Sequence, residues 1–234
     1  MIHFYFNAAP NPMKVALMLE ETGLAYTPVP VDTKKGQQHS AEFSALNPNR
    51  RVPALIDGDV AVFDSNAILL YLAEKTGQFL PENGDLVARG QLLSWLFFIA
   101  SGIGPYSGQA VHFGHIAKGT SAYALARYRY EAERHWQIIE DRLADRAYLL
   151  GAQYTILDMA VWGWAPRIDA ILDLDSKQRF PNITRLMEDL DARPAAQRAR
   201  ELPTRFPFKE EMDIEAIAHM YPTLHALKGA GASS

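Results

Sequence analysis

The apolar pattern of the chain changes its period once. Four short runs come first: Ile2–Phe6, Tyr26–Val31, Ala54–Ile56 and Val60–Phe63. They are rich in β-branched and aromatic residues and bounded by Asn, Pro, Gly and Asp, so each reads as a strand. Met13–Thr22 and Ala67–Lys75 carry apolar residues at helical spacing, each followed by a glycine suited to a helix stop, Gly23 and Gly77. Ser40 is placed to cap a short helix over Ala41–Leu46, and Lys34–Gln38 reads as a polar loop. Asp57-Gly58 between two apolar runs is a hairpin signal, because glycine tolerates the positive φ of a tight turn. The expected order is βαβαββα, with a crossover short enough to make the first two strands a parallel, right-handed pair.

Beyond Leu80-Pro81-Glu82-Asn83-Gly84-Asp85 the two-residue period disappears, which marks a domain linker. Leu92, Trp95, Leu96 and Ile99 fall on one helix face, before an interruption expected at Gly102, Gly104 and Pro105. Tyr123–Leu143 reads as a long helix whose inner face carries Leu125, Tyr128, Ala132, Trp136, Ile139 and Leu143. Thr155 with Asp158 three residues on is a helix start related to the capping box. The following run, Met159–Ile171, is apolar almost all round and is expected at the centre of this part, and Asn182–Arg193, closed by Pro194, reads as the last clear helix. The expected class is α/β plus all-α: residues 1–79 as one domain, 86–205 as an all-helical second, and 206–234 as an extension whose last residues are disordered.

Composition narrows the function without naming it. A length of 234 residues is enough for a substantial core, and a net charge of −4 argues against a nucleic-acid partner. No apolar run reaches the roughly 18 residues of a membrane span, and Met1-Ile2-His3-Phe4 lacks the basic start of a signal peptide. The expectation is a cytoplasmic protein with no membrane association. The chain contains no cysteine, which removes disulfides, protein thiol nucleophiles and thiolate metal sites. His112 and His115 have a spacing that a metal can bridge, but no third ligand accompanies them and no metal is expected. Arg127, Glu131 and Arg134 share a helix face, where a salt-bridged surface is the ordinary outcome and a ligand carboxylate the alternative. The four tryptophans, at 95, 136, 162 and 164, are expected in the core.

The densest candidate chemistry lies between Asn47 and Lys75. Val52 precedes a proline and is pushed toward extended geometry, so its N–H and C=O can pair with an extended ligand backbone. Asp64-Ser65-Asn66 ends a strand and starts a helix, placing a hydroxyl, free amides and a positive dipole end where a carboxylate could bind. Asp64 and Ser65 as plain helix caps is the competing reading. Asn11 sits in the loop that feeds the first helix, where a ligand thiol would have its pKa lowered and an amide donor could face a thiolate; a turn or cap role is the competing reading there. Tyr5 on the first strand could offer a phenol to such a thiol, against the commoner inward-facing structural role.

These residues together resemble the glutathione transferase family along nearly the whole chain. The resemblance rests on the βαβ-ββα order, Val52-Pro53, Asp64-Ser65, Ala67-Ile68-Leu69-Leu70-Tyr71-Leu72 and the capped Thr155–Asp158 start. More narrowly, Ala9–Val15, Gly36-Gln37-Gln38, Gly104-Pro105 with Gln109 and His112-Phe113, and Arg127-Tyr128 look like the bacterial Nu-class enzymes. They are similar also to the yeast nitrogen-catabolite regulator that shares the fold.

The resemblance implies a thioredoxin-like N-terminal domain and a homodimer that uses glutathione as co-substrate. It implies that Val52 pairs through its main chain with the cysteinyl part of glutathione, beside a cis Pro53. Asp64 and Ser65 would hold the γ-glutamyl end, and Gln38 would contact the glycyl end or a second glutathione. Asn11 would face the sulfur and Arg127 a carboxylate of the second glutathione. The implied activity is reduction of small disulfides by bound glutathione thiolate, which a chain without cysteine would need. Conjugation of glutathione to electrophiles and a non-catalytic regulatory role are the alternatives. Two positions depart from the Nu-class pattern: Ala9 replaces a threonine, removing a hydroxyl, and Pro12 replaces a glycine, removing an amide.

Overall fold

The computed structural model describes residues 1–82 and 84–222. The first 76 residues form β1 (Ile2–Phe6), α1 (Pro10–Thr22), β2 (Tyr26–Pro30), α2 (Ala41–Leu46), β3 (Ala54–Asp57), β4 (Val60–Phe63) and α3 (Ser65–Thr76). The sheet runs in the order β2-β1-β3-β4, with β1 parallel to β2 and antiparallel to β3. This is the expected thioredoxin-like arrangement. Ile2, Phe4 and Phe6 point from β1 into the main core with Val15 and Leu19 of α1 and Ile68 and Leu72 of α3. The alternate residue Tyr5 packs on the other face with Val31, Phe43 and Ala54. Gly58 makes the hairpin turn at φ 61. Where a polar loop was expected, two 3-10 turns occupy Thr33–Lys35 and Gln37–His39.

From Leu86 on, every described element is helical: α4 (Leu86–Phe98), α5 (Gly104–Val111), α6 (Ala122–Arg142), α7 (Ile156–Trp164), α8 (Ile168–Leu172), α9 (Ser176–Arg179), α10 (Pro181–Asp191), α11 (Pro194–Glu201) and α12 (Ile214–Met220). All nine residues of α7 are buried, and Asp158 closes a full capping box with Thr155. The glycines at 102 and 104 do not interrupt the helix there. A π-helical segment, Ile99–Ile103, carries α4 into α5, and a side chain at Gly102 would meet the His135 ring at 2.2 Å. The glycine therefore lets α6 approach. The expected single helix over 159–171 is broken into α7 and α8 by a 3-10 turn around Pro166, as a missing backbone donor favours. Pro194 closes α10 but also opens a further helix, α11, at whose first position its missing N–H costs nothing.

The helical stretch 86–116 is long and apolar enough to span a membrane by length and composition, which the shorter apolar runs of the sequence did not suggest. Leu92, Leu96, Ile99 and Ile103 turn into the core, while Leu86, Val87 and Phe97 stay exposed. The described part of the tail packs back on the first 76 residues. Phe206 and Phe208 set their rings edge-on against Phe6, and α12 crosses back to pack on the turn at Thr33–Lys35. The expected disorder of the last residues concerns positions 223–234, which lie outside the described residues.

Candidate functional site

Three connections converge at one end of the sheet. Ala54 at the start of β3 pairs with Tyr5 near the end of β1 and with Phe63 at the end of β4. Val52-Pro53, Asp64-Ser65 and the loop from Asn7 to Asn11 therefore leave the sheet side by side. The Val52–Pro53 peptide is cis, and Val52 is half-buried.

Asp64 is the N-cap of α3, held at φ 72. A non-glycine residue with positive φ is strained by about 1–3 kcal/mol and clusters at functional positions. The strain turns the exposed carboxylate back over the helix start, where Oδ1 accepts from the N–H groups of Asn66 and Ala67 at 2.9 and 3.2 Å. Ser65 is the first residue of α3 and is buried. Its hydroxyl oxygen accepts from Lys14 Nζ at 3.3 Å, which leaves the hydroxyl proton to be donated elsewhere. The N–H of a first helical residue has no intrahelical partner, so Ser65 offers two donors where an arriving carboxylate would meet the positive end of the helix.

Asn11 lies in the first turn of α1, between Pro10 and Pro12. The two prolines remove two donors that a helix start normally presents, and the Ala9 N–H is taken by Asn7 Oδ1 at 2.9 Å. Asn11 keeps the amide groups that remain. Its Oδ1 accepts from the indole Nε1 of Trp164 at 2.8 Å. An indole N–H only donates, so this contact settles which end of the carboxamide faces the tryptophan and leaves the NH2 group pointing away from it. Trp164 is in turn flanked by Gly104 and Gly108 of α5.

Gln38 lies under the tail. Its Nε2 donates to the His219 carbonyl at 3.1 Å, and His39 Nε2 reaches the same oxygen at 2.8 Å. Gln38 Oε1 is buried with no partner among the described residues. Arg127 is half-exposed on α6 and donates to Glu131, which also accepts from Arg134. No hydrogen bond among the described residues joins it to the group at the sheet end. Tyr5 turns its ring toward Phe43 instead, and burial raises its phenol.

His115 Nε2 contacts the Ala170 carbonyl at 3.0 Å, and His112 meets the Tyr221 ring edge-on; no group of three possible metal ligands occurs among the described residues. A cavity of about 240 Å³ lies between Ala8, Pro10 and Met13 on one side and Trp162, Arg167 and Arg200 on the other. It includes none of Asn11, Val52, Asp64 or Ser65, and it is smaller than the roughly 300 Å³ at which small-molecule sites begin.

Two residues of this group carry no sequence motif. Trp164 counts as core by periodicity, yet it is the partner of Asn11. Lys14 stands one turn before the buried Leu17 and Met18, and a lysine on the apolar face of a helix was the available signal for it.

The pattern of the glutathione S-transferase N-terminal domain matches residues 2–74, and that of the C-terminal domain matches residues 122–189. The chain is 38% identical over 211 residues to the disulfide-bond oxidoreductase YfcG of Escherichia coli, covering 85% of this chain and 94% of that one. A glutathione transferase from Burkholderia graminis, crystallised with two glutathione molecules per subunit, superposes with a TM-score of 0.80 at 36% identity, over 88% of this chain and 89% of that one. One from Pseudomonas putida, with one glutathione disulfide per subunit, gives 0.79 at 32% identity, over 86% and 91%.

Proposed function

The chain belongs to the glutathione S-transferase family, and on that footing we propose that it is a glutathione-dependent disulfide-bond oxidoreductase of the Nu-class type. Bound glutathione thiolate attacks one sulfur of a small disulfide, expelling a thiol and forming a mixed disulfide. A second glutathione thiolate attacks the glutathione sulfur of that intermediate, releasing the second thiol and glutathione disulfide. Two thiols are oxidised and two are formed, so no protein thiol and no metal enters the balance. The protein lowers the thiol pKa and orients two tripeptides.

The observation that carries this reading is Asn11, whose oxygen is engaged by Trp164 so that its NH2 group is left to face a sulfur, in a chain with no cysteine. Val52 takes the cysteinyl backbone beside Pro53. Asp64 receives the γ-glutamyl ammonium and Ser65 its carboxylate. Gln38 reaches the glycyl end or the second glutathione, and Arg127 a carboxylate of the second glutathione. That YfcG is a disulfide-bond oxidoreductase, and that structural neighbours hold two glutathiones or glutathione disulfide, supports a reaction between two bound tripeptides.

Residues 1–79 form the glutathione-binding domain, 86–205 the helical domain and 206–234 an extension. A cytoplasmic homodimer completes the proposal. Its support is the open sheet edge at β4, with Val60 and Phe63 exposed, and the apolar exposed residues of α4, surfaces that a monomer in water tends to blunt.

The deciding experiment is NADPH-coupled reduction of 2-hydroxyethyl disulfide by glutathione beside conjugation of chlorodinitrobenzene. Fast reduction with slow conjugation is expected. The reverse ratio would make the protein a conjugating transferase, and neither activity with glutathione still bound would make it a binding protein.

A further inference from the structure

Lys14 is a lysine with nowhere to put its charge. It is 2% exposed on the inner face of α1, one turn after Asn11. Its Nζ donates to Ser65 Oγ at 3.3 Å and to Asn66 Oδ1 at 3.1 Å, both neutral oxygens. Asn66 Nδ2 donates to the Leu96 carbonyl at 3.0 Å, which fixes the amide so that its oxygen faces the ammonium. The stem is clamped by α7: a side chain at Gly163 would stand 2.5 Å from Lys14 Cγ and 2.5 Å from the Pro10 carbonyl. The geometry therefore holds the nitrogen directly beneath the Ser65 hydroxyl.

A buried ammonium without a carboxylate partner is unfavourable. No charged group among the described residues forms an ion pair with it. Asp64 acts on it from across the helix start, bonded to Asn66 and Ala67. On α7 the carboxylate of Asp158 is spent on Thr155 and Leu149. On α11 Arg198 and Arg200 are spent on Glu20 and Asp191, and Arg193 just before it on Glu21. Burial accordingly pushes the Lys14 ammonium down to about 7, with Asp64 pulling the other way. What would complete the arrangement is an anion on the outer side of Ser65.

We propose that Lys14 is the buried counter-charge of the Asp64–Ser65 cap: it turns the Ser65 hydroxyl outward as a donor, and occupation of the cap by a ligand carboxylate draws a proton onto Lys14. This rests on reading the cap as the seat of the γ-glutamyl end of glutathione. Lys14 is a positioning residue that touches no substrate and acts through Ser65. Its role makes the ligand's carboxylate, in preference to a neutral amide, the group the cap selects.

The test uses S-methylglutathione, whose sulfur has no proton to lose, and calorimetry in buffers of different ionisation enthalpy. Wild type is expected to take up about half a proton on binding near pH 7, and to lose about tenfold or more in affinity from pH 6.5 to 8.5. Lys14→Met should bind at least about tenfold more weakly at pH 6.5, with no proton uptake and a flat profile over that range. If that variant does not fold, the Cε resonance of Lys14 in the wild-type protein, identified by Lys14→Arg, decides the matter. It should titrate near neutrality when free and well above it when S-methylglutathione is bound. Binding by wild type without proton exchange, or a Lys14 resonance that ignores the ligand, overturns the role of Lys14 alone. No binding of S-methylglutathione by wild type overturns the glutathione reading and this inference with it.

Discussion

The carboxamide oxygen of Asn11 and the indole N–H of Trp164 meet at 2.8 Å across 153 residues of chain. The bond ties the start of α1 to the end of α7 and holds the Asn11 NH2 group in one direction. Removing that group, in Asn11→Ala, should cut disulfide reduction at least about tenfold, or about 1.4 kcal/mol in the barrier. Trp164→Phe keeps an aromatic ring but loses the indole N–H together with the second ring, so Asn11 is freed to rotate and the rate should fall at least about threefold. Because both act on one amide, the double variant should be no slower than Asn11→Ala. Additive losses would separate the two residues.

Ser65 is both the first residue of α3 and the oxygen above Lys14. On the proposed role of Ser65, Ser65→Ala removes a hydroxyl donor from the ground-state complex without touching the sulfur. Glutathione should bind about tenfold more weakly, in line with the loss of one charge-assisted hydrogen bond, while turnover at saturation changes little. Titration calorimetry beside saturation kinetics separates the two effects. An unaltered affinity would reduce Ser65 to a structural cap.

The fold was legible because its signals are local. Asp57-Gly58 places the hairpin, Thr155 with Asp158 starts the central helix, and the change of period after Leu80 divides strands from helices. Val52 and Asp64 could be put together from sequence for the same reason, since a two-stranded hairpin forces its outer ends into contact. What escaped was contact made across long separations. Trp164 and Lys14 are ordinary core positions by period, and only the packing of α7 on α1 and of α3 on α1 brings them to Asn11 and Ser65. The tail escaped too, because Phe206 and Phe208 find their partner in Phe6, which no pattern near them could indicate.

Arg127 stands apart from the group at the sheet end, on the exposed face of α6 with Glu131 as its partner. A half-exposed arginine already paired can contribute only modestly. Arg127→Ala should weaken the second glutathione about threefold to tenfold and leave the first unchanged. Two-site calorimetry resolves this, and an equal loss at both sites would remove Arg127 from the second-glutathione assignment.

Gln38 is buried beneath α12, whose His219 carbonyl takes its amide donor. Ending the chain after Phe208 keeps the two rings on Phe6 but removes α12 and the Lys209 N–H bond to Asp32. Glutathione should then bind and leave at least about threefold faster, with a smaller change in affinity, because a covering segment slows both directions alike. Stopped-flow binding measures this; unchanged rates would mean that the ligand's path does not pass α12.

Two buried groups set the pH dependence of stability in opposite senses. Burial pushes the Asp158 carboxyl up to about 7 against hydrogen bonds from Leu149 and Thr155. Between about 4 and 7 the folded chain therefore binds more protons at Asp158 than the unfolded chain does, and the stability this brings, full at low pH, is lost as pH rises through 7. Lys14, pushed down to about 7, binds fewer protons in the folded chain from about 7 to 10.4, so stability rises with pH across that window. Each slope is limited to about 1.4 kcal/mol per pH unit for one proton. Urea unfolding from pH 5 to 9 should pass through a minimum near 7. Lys14→Met should flatten the rise above it, and Asp158→Asn the fall below it, although the latter variant starts less stable because its amide meets the Thr155 N–H donor to donor. A maximum near pH 7 in wild type would show that neither group is held as its burial demands.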